Sequence, residues 1–181
     1  MFDPTKHKTI KRFNHPRTGH ELTWSCFHQR SLLSTPERRT LVVDAIRNAS
    51  ERHGYAVLAF VVMPNHVHLL VRHAAEHDVS ALLFAIKRPS SFRLKQMMSE
   101  GEQASLVVHE RPGKTAFRFW QEGPGYDRNI GDDTINDSIR YLHLNPVRKG
   151  LCRRAAEWEW SSASWYAREA LRADGGIDWE R

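Results

Sequence analysis

An uninterrupted apolar run rich in valine covers residues 56–63 and ends at Pro64. A short run of this kind, bounded by turn residues, is typical of a buried strand. Pro64 and Asn65 then predict a tight turn, and residues 66–71 predict a second strand. The two strands are expected to form a hairpin in the centre of a sheet.

Helical patterns occur on both sides of this hairpin. Thr35 and Pro36, with an acidic residue after them, predict the N-cap and first turn of a helix, which apolar residues at helical spacing extend to about Gly54. A longer helix is predicted over residues 78–98, and Pro89 is expected to kink or split it. The other predicted elements are a strand over residues 22–27, a flexible loop over 99–116, a last strand over 117–121 and a helix over 132–144.

The order of these elements predicts the fold class. A β-α-β-β-α-β order with one more helix indicates a ferredoxin-like α+β fold, with an antiparallel sheet, helices on one face and an extra C-terminal helix that carries Tyr141. The chain is expected to divide into a basic N-terminal arm over residues 1–20, one domain over 21–154 and a tail over 155–181. The tail holds four of the six tryptophans, so we expect it to pack on the domain.

Composition narrows the class of protein. A chain of 181 residues, with 40% hydrophobic and 27% charged residues, is expected to form a single folded domain. Its two cysteines are too few for a disulfide framework or a four-cysteine zinc site. Apolar stretches are far shorter than the roughly 20 residues of a membrane span, and no signal peptide is visible, so a cytoplasmic protein is expected. The net charge of +6 is compatible with a polyanionic partner.

Two short motifs carry the candidate chemistry. His66 and His68 are two residues apart on a predicted strand, so their imidazoles share one face and can form half of a divalent-metal site. Two surface histidines on a half-exposed strand would give the same pattern. Tyr141 and Asn145 are four residues apart on a predicted helix and also share one face. The alternative for this pair is a surface tyrosine followed by a helix C-cap.

The chain resembles the single-tyrosine HuH transposases, and most of all the REP-associated tyrosine transposases of bacteria. The resemblance lies in the segments Pro64-Asn65-His66-Val67-His68 and Tyr141-Leu142-His143-Leu144-Asn145-Pro146. Lesser matches are the aromatic-rich residues 117–121 and the sequence Trp160-Ser161-Ser162 after the tyrosine helix. The similarity covers about residues 22–165, and the chain departs from the family pattern at Pro89 and in the long insert over 99–116.

This resemblance implies a metal-dependent enzyme that nicks single-stranded or hairpin DNA and transfers the strand. Tyr141 would attack a backbone phosphate, which gives a 5′-phosphotyrosine and a free 3′-hydroxyl. His66 and His68 would hold one divalent ion, Mg²⁺ or Mn²⁺, with Asn145 as the remaining protein ligand. His143 is predicted to be non-catalytic, because it lies about 200° from Tyr141 around the helix.

Clusters of cations predict the surface that binds DNA. The candidates are Lys87, Arg88, Arg93 and Lys95 on the second long helix, and Arg148 and Lys149 after the tyrosine helix. A solvated helix face would show the same charges. Tyr126 is the competing nucleophile, although we expect it to pack. A non-catalytic nucleic-acid-binding module and a phosphoesterase that uses water remain alternatives, and both a monomer and a homodimer remain open.

Overall fold

The computed structural model describes residues 18–73, 78–123 and 125–170. The strands within these ranges are β1 (Gly19–Ser25), β2 (Tyr55–Val62), β3 (His66–His73), β4 (Val107–Arg111), β5 (Lys114–Phe117) and β6 (Tyr126–Ile130). Four of them form an antiparallel sheet in the order β2-β3-β1-β6, while β4 and β5 pair separately. The predicted α+β class and the antiparallel sheet are therefore confirmed. Most of the predicted basic arm, and residues 171–181 of the predicted tail, lie outside the described residues.

The helices of the described residues connect and cover these strands. They are α1 (Pro36–Arg52), α2 (Val79–Gln96), α3 (Glu100–Ala104), α4 (Ile135–His143), α5 (Asn145–Arg148) and α6 (Ala163–Ala170). The hydroxyl of Thr35 accepts a hydrogen bond from the Arg38 amide, which confirms the predicted N-cap of α1. Within the described part of the chain, none of the helices combines the length and the apolar character that crossing a bilayer requires.

The hairpin of β2 and β3 forms where the sequence predicts it. Val62 pairs with Val67, and the amide of Met63 donates to the carbonyl of His66 at 2.8 Å, which closes the turn at Pro64. β3 also pairs with β1 along its other edge. The histidine-bearing strand is therefore an interior strand of the sheet, held on both sides by main-chain hydrogen bonds.

The two faces of the sheet carry different layers. Leu22 and Trp24 of β1 and Leu69 of β3 point towards α1 and α2 and form the larger hydrophobic core with them. On the opposite face, Leu142 of α4 packs in a second cluster that includes Leu70. Because side chains alternate along a strand, Glu21, Thr23 and Ser25 of β1 and the two histidines of β3 share the face that α4 covers.

Pro89 does not split α2, so of the two predicted effects, a kink or a split, the split is wrong. The helix runs without a break from Val79 to Gln96. Pro89 removes one main-chain donor, but the neighbouring Ser90 hydroxyl donates to the carbonyl of Ile86 at 2.6 Å. The indole of Trp120 also donates to the carbonyl of Lys87 at 3.1 Å. These side-chain bonds hold the helix together around the proline.

The last strand of the sheet is β6, and the strand predicted over residues 117–121 is wrong. In that segment Phe117 ends β5, and Trp120 forms only an isolated bridge with Cys26. The segment has the aromatic composition of a strand because Phe119 and Trp120 are buried in the core beneath α2. The free edge of β1 is instead paired by the more polar β6, one side of which faces an open cleft.

The predicted flexible loop over residues 99–116 is also wrong. It contains α3 and the β4–β5 hairpin. Ser99 and Glu102 form a capping box at the start of α3, and Leu106 is fully buried directly after it. Gly113, in a left-handed conformation at φ +76°, makes the turn of the hairpin. The insert is thus an ordered extension outside the main sheet.

The described part of the tryptophan-rich tail lies along the outer edge of β2. The amide of Val62 donates to the carbonyl of Trp160 at 2.8 Å, and the indole of Trp158 donates to the carbonyl of Val62 at 3.0 Å. The guanidinium of Arg39 on α1 lies 3.8 Å from the ring centre of Trp160 and 5.1 Å from that of Trp158. This C-terminal segment therefore covers what would otherwise be a free sheet edge.

Candidate active site

The two histidines of the His-x-His motif lie side by side on β3. Their Nε2 atoms are 3.0 Å apart, and both side chains are partly buried. In the register with β1, His66 faces Ser25 and His68 faces Thr23. The i, i+2 spacing thus brings both imidazoles to one point on the polar face of the sheet.

Each imidazole is oriented by a second hydrogen bond through its Nδ1 atom. The Nδ1 of His66 lies 2.7 Å from the Oδ1 of Asn65, and the Nδ1 of His68 lies 2.8 Å from the Oγ1 of Thr23. An amide oxygen only accepts, so the Nδ1 of His66 carries the proton and its Nε2 presents a lone pair. The hydroxyl of Thr23 can donate or accept. Hydrogen bonds of this kind fix the ring orientation of metal-binding histidines.

Burial favours the neutral form of both rings. It lowers the pKa of His68 to about 4, with a smaller contribution from His66. Burial, followed by the charge of Lys149, also lowers the pKa of His66. A neutral imidazole is the form that binds a metal ion, and one that is already neutral does not need to lose a proton first.

The geometry of the histidine pair fits a divalent ion. Two nitrogens that each lie about 2.1 Å from one ion, at right angles to each other, are about 3.0 Å apart. This equals the distance between the two Nε2 atoms. No third histidine, cysteine or carboxylate among the described residues forms a cluster with them. Other ligands would therefore be amide, water or phosphate oxygens, which suit Mg²⁺ and Mn²⁺.

Tyr141 shares a cleft with one histidine of this pair. It is 48% exposed on α4, and it lines, together with His68, an open cleft of about 690 Å³ above the polar face of the sheet. The guanidinium of Arg148 lies 4.6 Å from the centre of the tyrosine ring. The cleft therefore brings the predicted nucleophile and one predicted metal ligand together within a single chain.

Asn145 is buried at the junction of α4 and α5. Its Nδ2 donates to the main-chain carbonyls of Tyr141 at 3.0 Å and Leu142 at 3.2 Å, so the amide caps the end of the tyrosine helix. This is the capping alternative raised by the sequence. Within the described residues the amide oxygen forms no hydrogen bond. The oxygen is thus available for another partner.

The predicted DNA-binding cations fall into two groups. Arg148 lies over the ring of Tyr141, and the charge of Lys149 is near enough to His66 to contribute to lowering the pKa of that imidazole. The second group lies on α2, which covers the opposite face of the sheet. In that group Lys87 donates to the carbonyls of Gln121 and Gly123, Arg88 lies over Phe84 at 5.4 Å, Lys95 lies over Phe117 at 5.2 Å, and Arg93 borders a groove between α1 and α2.

Sequence reasoning missed an ion pair that borders the cleft. Glu21 is buried and accepts hydrogen bonds from the Nη2 and Nε of Arg128 at 2.6 and 3.2 Å. This pairing raises the pKa of Arg128, whose Nη2 also donates to Ser138 of α4. The alternation of polar residues along β1 could have revealed Glu21, but the predicted strand begins one residue after it. Tyr126 is 54% exposed and lines the cleft, so the expected packing role is wrong.

Comparison with known proteins identifies the family. The sequence profile of the family described as "Transposase IS200 like" matches residues 19–123, which is more than half of the chain. This chain belongs to the IS200-like transposase family. The matched span contains His66 and His68 and ends before Tyr141, so the tyrosine helix lies outside it.

A curated protein and a solved structure are similar to this chain beyond the span that the family profile matches. A curated relative from Haemophilus influenzae, which carries the provisional name of a REP-associated tyrosine transposase, is 23% identical over 121 residues. That alignment covers 66% of this chain and 65% of the relative, slightly less than two thirds of the relative's length. The solved structure of a REP-associated tyrosine transposase bound to a REP hairpin gives a TM-score of 0.69 at 19% identity. It covers 97% of this chain and 92% of the other, which shows a shared fold.

Proposed function

We propose that this IS200-like transposase nicks single-stranded or hairpin DNA and transfers the strand through a 5′-phosphotyrosine on Tyr141. The observation that carries the proposal is that Tyr141 and His68 line one cleft, with the Nε2 of His66 3.0 Å from that of His68. All three side chains belong to one chain, which supports a site completed within one subunit. The hairpin bound by the structural relative supports hairpin DNA as the substrate class.

Tyr141 is the proposed nucleophile. Its phenol loses a proton and its oxygen forms a bond to the scissile phosphorus, while the bond from phosphorus to the 3′ oxygen breaks and that oxygen takes up a proton. One phosphoester replaces another, so attack by a 3′-hydroxyl in the reverse direction rejoins a strand without ATP. Arg148 above the tyrosine ring supplies positive charge that attracts the DNA phosphate.

His66 and His68 are the proposed ligands of a divalent ion, through their Nε2 atoms. Asn145 is the proposed third protein ligand, through the amide oxygen that its capping bonds leave free. When bound, the ion withdraws charge from the scissile phosphate and orients it for in-line attack. The oxygen-rich remainder of the ligand set favours Mg²⁺ or Mn²⁺.

The proposed DNA-binding surface has a part near the site and a part away from it. Arg148, over the ring of Tyr141, and the following Lys149 are the proposed contacts to the phosphates around the cleaved bond. On α2, Arg88 beside the exposed ring of Phe84 suits a longer segment of DNA, because phosphate contacts and base stacking combine in the binding of single strands. The α2 residues in this proposal are Lys87, Arg88, Arg93 and Lys95.

A covalent-trapping assay tests the proposal. The protein is incubated with labelled hairpin DNAs that carry single-stranded flanks, in Mn²⁺ or Mg²⁺, and a protein–DNA adduct is sought on a denaturing gel. Tyr141→Phe is run beside Tyr126→Phe, a matched control that removes the other tyrosine hydroxyl of the cleft. We expect an adduct in wild type and in Tyr126→Phe, and none in Tyr141→Phe or with EDTA.

Each other outcome points to a different function. An adduct lost only in Tyr126→Phe would transfer the nucleophilic role to Tyr126. Cleavage that persists in Tyr141→Phe without any adduct would indicate a phosphoesterase that uses water. Hairpin binding without an adduct or cleavage, across a broad hairpin pool, would favour a non-catalytic binding module. Activity with Zn²⁺ alone would reject the choice of Mg²⁺ or Mn²⁺.

A further inference from the structure

His143 and Ser162 meet although neither has a part in the chemistry proposed above. His143 follows Tyr141 by two residues, so the two side chains leave α4 about 200° apart. His143 is only 8% exposed, and its Nε2 lies 2.8 Å from the Oγ of Ser162. Its ring also contacts Tyr166 edge-on, with ring centres 5.0 Å apart. The side of α4 that faces away from the cleft is thus attached to the C-terminal segment.

Ser162 in turn has a fixed place on the edge of the sheet. The amide of Phe60 on β2 donates to the Oγ of Ser162 at 3.0 Å, and the amide of Ser162 donates to the carbonyl of Phe60 at 3.1 Å. The preceding residue, Ser161, forms a bridge with Val61, and the hydroxyl of Tyr166 donates to the carbonyl of Leu58 at 2.6 Å. β2 is the neighbour of β3 in the sheet. Ser162 therefore has a defined position relative to the strand that carries the two histidines.

The tyrosine helix needs such an anchor because it is short. α4 has nine residues, and Leu142 is its only fully buried apolar side chain. Ile135 and Ile139 pack only partly against the same cluster, and Ser138 accepts a hydrogen bond from Arg128 on the cleft side. The contact between His143 and Ser162 holds the opposite side of the helix and so opposes a turn about its axis. A turn of about 10° displaces a tyrosine hydroxyl by roughly 1 Å or more, because the hydroxyl stands far from the axis. A misplacement of about 1 Å at a reacting group is enough to slow a reaction about 100-fold.

We propose that His143 and Ser162 form a positioning pair that fixes the rotation of α4 and so aims Tyr141 at the DNA phosphate. The proposal rests on the proposed role of Tyr141 as the nucleophile. The pair acts from the far side of the helix and touches no reacting atom. It also gives a physical reason for the sequence Trp160-Ser161-Ser162 after the tyrosine helix: the segment lies on the sheet edge and presents one hydroxyl to the histidine.

The test compares Ser162→Ala with Ser161→Ala and Ser162→Thr. Ser161 is a matched control, since it is the neighbouring serine, is at least as buried as Ser162, and its Oγ also accepts a main-chain hydrogen bond, from Ala163 at 3.1 Å. Three quantities are measured: the single-turnover rate of adduct formation at saturating hairpin DNA, the Kd for that DNA, and hydrogen exchange of the α4 amides without DNA. We expect Ser162→Ala to slow adduct formation about ten-fold or more, to change Kd less than about two-fold, and to speed α4 exchange. Ser162→Thr restores the hydroxyl and should restore both the rate and the exchange protection.

The outcomes separate this proposal from the proposed function. A wild-type adduct together with an unchanged rate in Ser162→Ala would overturn the positioning pair and leave the nucleophile intact. Equal slowing in Ser161→Ala and Ser162→Ala would also overturn it, because the effect would then be general loss of packing. If wild type forms no adduct, the proposed function fails, and only the hydrogen-exchange data decide whether the hydroxyl of Ser162 holds α4. Faster exchange of the α4 amides in Ser162→Ala but not in Ser161→Ala would support the anchor. Equal exchange in the two variants would reject it.

Discussion

The substitution Thr23→Val tests whether the second hydrogen bond of His68 prepares the metal site. It keeps the shape and strand preference of the side chain but removes the hydroxyl, whose oxygen lies 2.8 Å from the Nδ1 of His68. For the Nε2 of His68 to offer its lone pair to an ion, the proton must sit on Nδ1, and the hydroxyl oxygen must accept the hydrogen bond that this N–H donates. In the variant this N–H loses its partner in a partly buried site.

The expected loss follows from the role of such partners in metal sites. Removing the partner of a ligating histidine lowers metal affinity about 10- to 100-fold, or about 1.4 to 2.7 kcal/mol. Isothermal titration with Mn²⁺, on protein first stripped with EDTA, measures this directly. Thr23→Ser retains the hydroxyl and should bind within about three-fold of wild type.

Ser25→Ala supplies the matched control for this experiment. Ser25 faces His66 across the same pair of strands, but its hydroxyl forms no hydrogen bond within the described residues. Its replacement should leave Mn²⁺ affinity unchanged. Wild-type affinity in Thr23→Val would refute the argument, since the hydroxyl would then have no part in orienting His68. An equal loss of Mn²⁺ affinity in Ser25→Ala would mean that any change on this face of β1 weakens the site, and that the hydrogen bond to His68 has no special part.

Three further predictions concern stability and thiol reactivity. Burial lowers the pKa of His143 to about 4, so the unfolded chain binds its proton first. Between pH 6.5 and 4 this group should lower the free energy of unfolding by on the order of 3 kcal/mol; in urea titrations His143→Gln should remove that share and leave the share of the buried His66 and His68. Arg39→Ala removes hydrogen bonds to two main-chain carbonyls and the contact with a tryptophan ring, and should lower the free energy of unfolding by about 3 kcal/mol. Arg47→Ala breaks an exposed ion pair and should change it by less than about 0.5 kcal/mol. Burial raises the pKa of Cys26 to about 12, so a thiol reagent at pH 8 should label Cys152 first and Cys26 only on unfolding.

Each of these predictions has an outcome that contradicts it. A pH curve that keeps its full slope in His143→Gln would place the titration elsewhere. Equal free energies of unfolding in the two arginine variants would mean that the buried guanidinium of Arg39 contributes no more than an exposed one. Rapid labelling of Cys26 in the folded chain would contradict its burial.

The elements predicted well from sequence are those whose local signals agree with their final surroundings. Thr35 and Pro36 start α1 where the sequence places it, and the turn at Pro64 sets the register of the central hairpin. Once that hairpin is correct, strand geometry alone brings His66 and His68 to the same face. This part of the candidate site therefore follows from the order of the residues and the geometry of a strand.

The elements predicted wrongly are those selected by tertiary contacts. β6 has a polar sequence and pairs with β1 because that edge is free, while Phe119 and Trp120 are apolar because they fill the core from an irregular segment. The pairing of Arg128 with Glu21 does not follow from the sequence, because it depends on which segment supplies the last strand. The ordered insert is different: the Ser99 capping box is a local signal from which a helix start could have been predicted.

The bond between Phe60 and Ser162 joins positions that are 102 residues apart in the chain. A ribosome adds about 5 to 20 residues per second, so synthesis needs about 5 to 20 s to pass from one to the other. For most of that interval the nascent chain holds the histidine pair but not the anchored tyrosine helix. Under the proposed function, a chain that ends before Tyr141 can hold metal and still be unable to cut DNA. Full cleavage activity then requires the segment that lies on β2, so a chain that ends between Tyr141 and Ser162 should cut more slowly than the complete one.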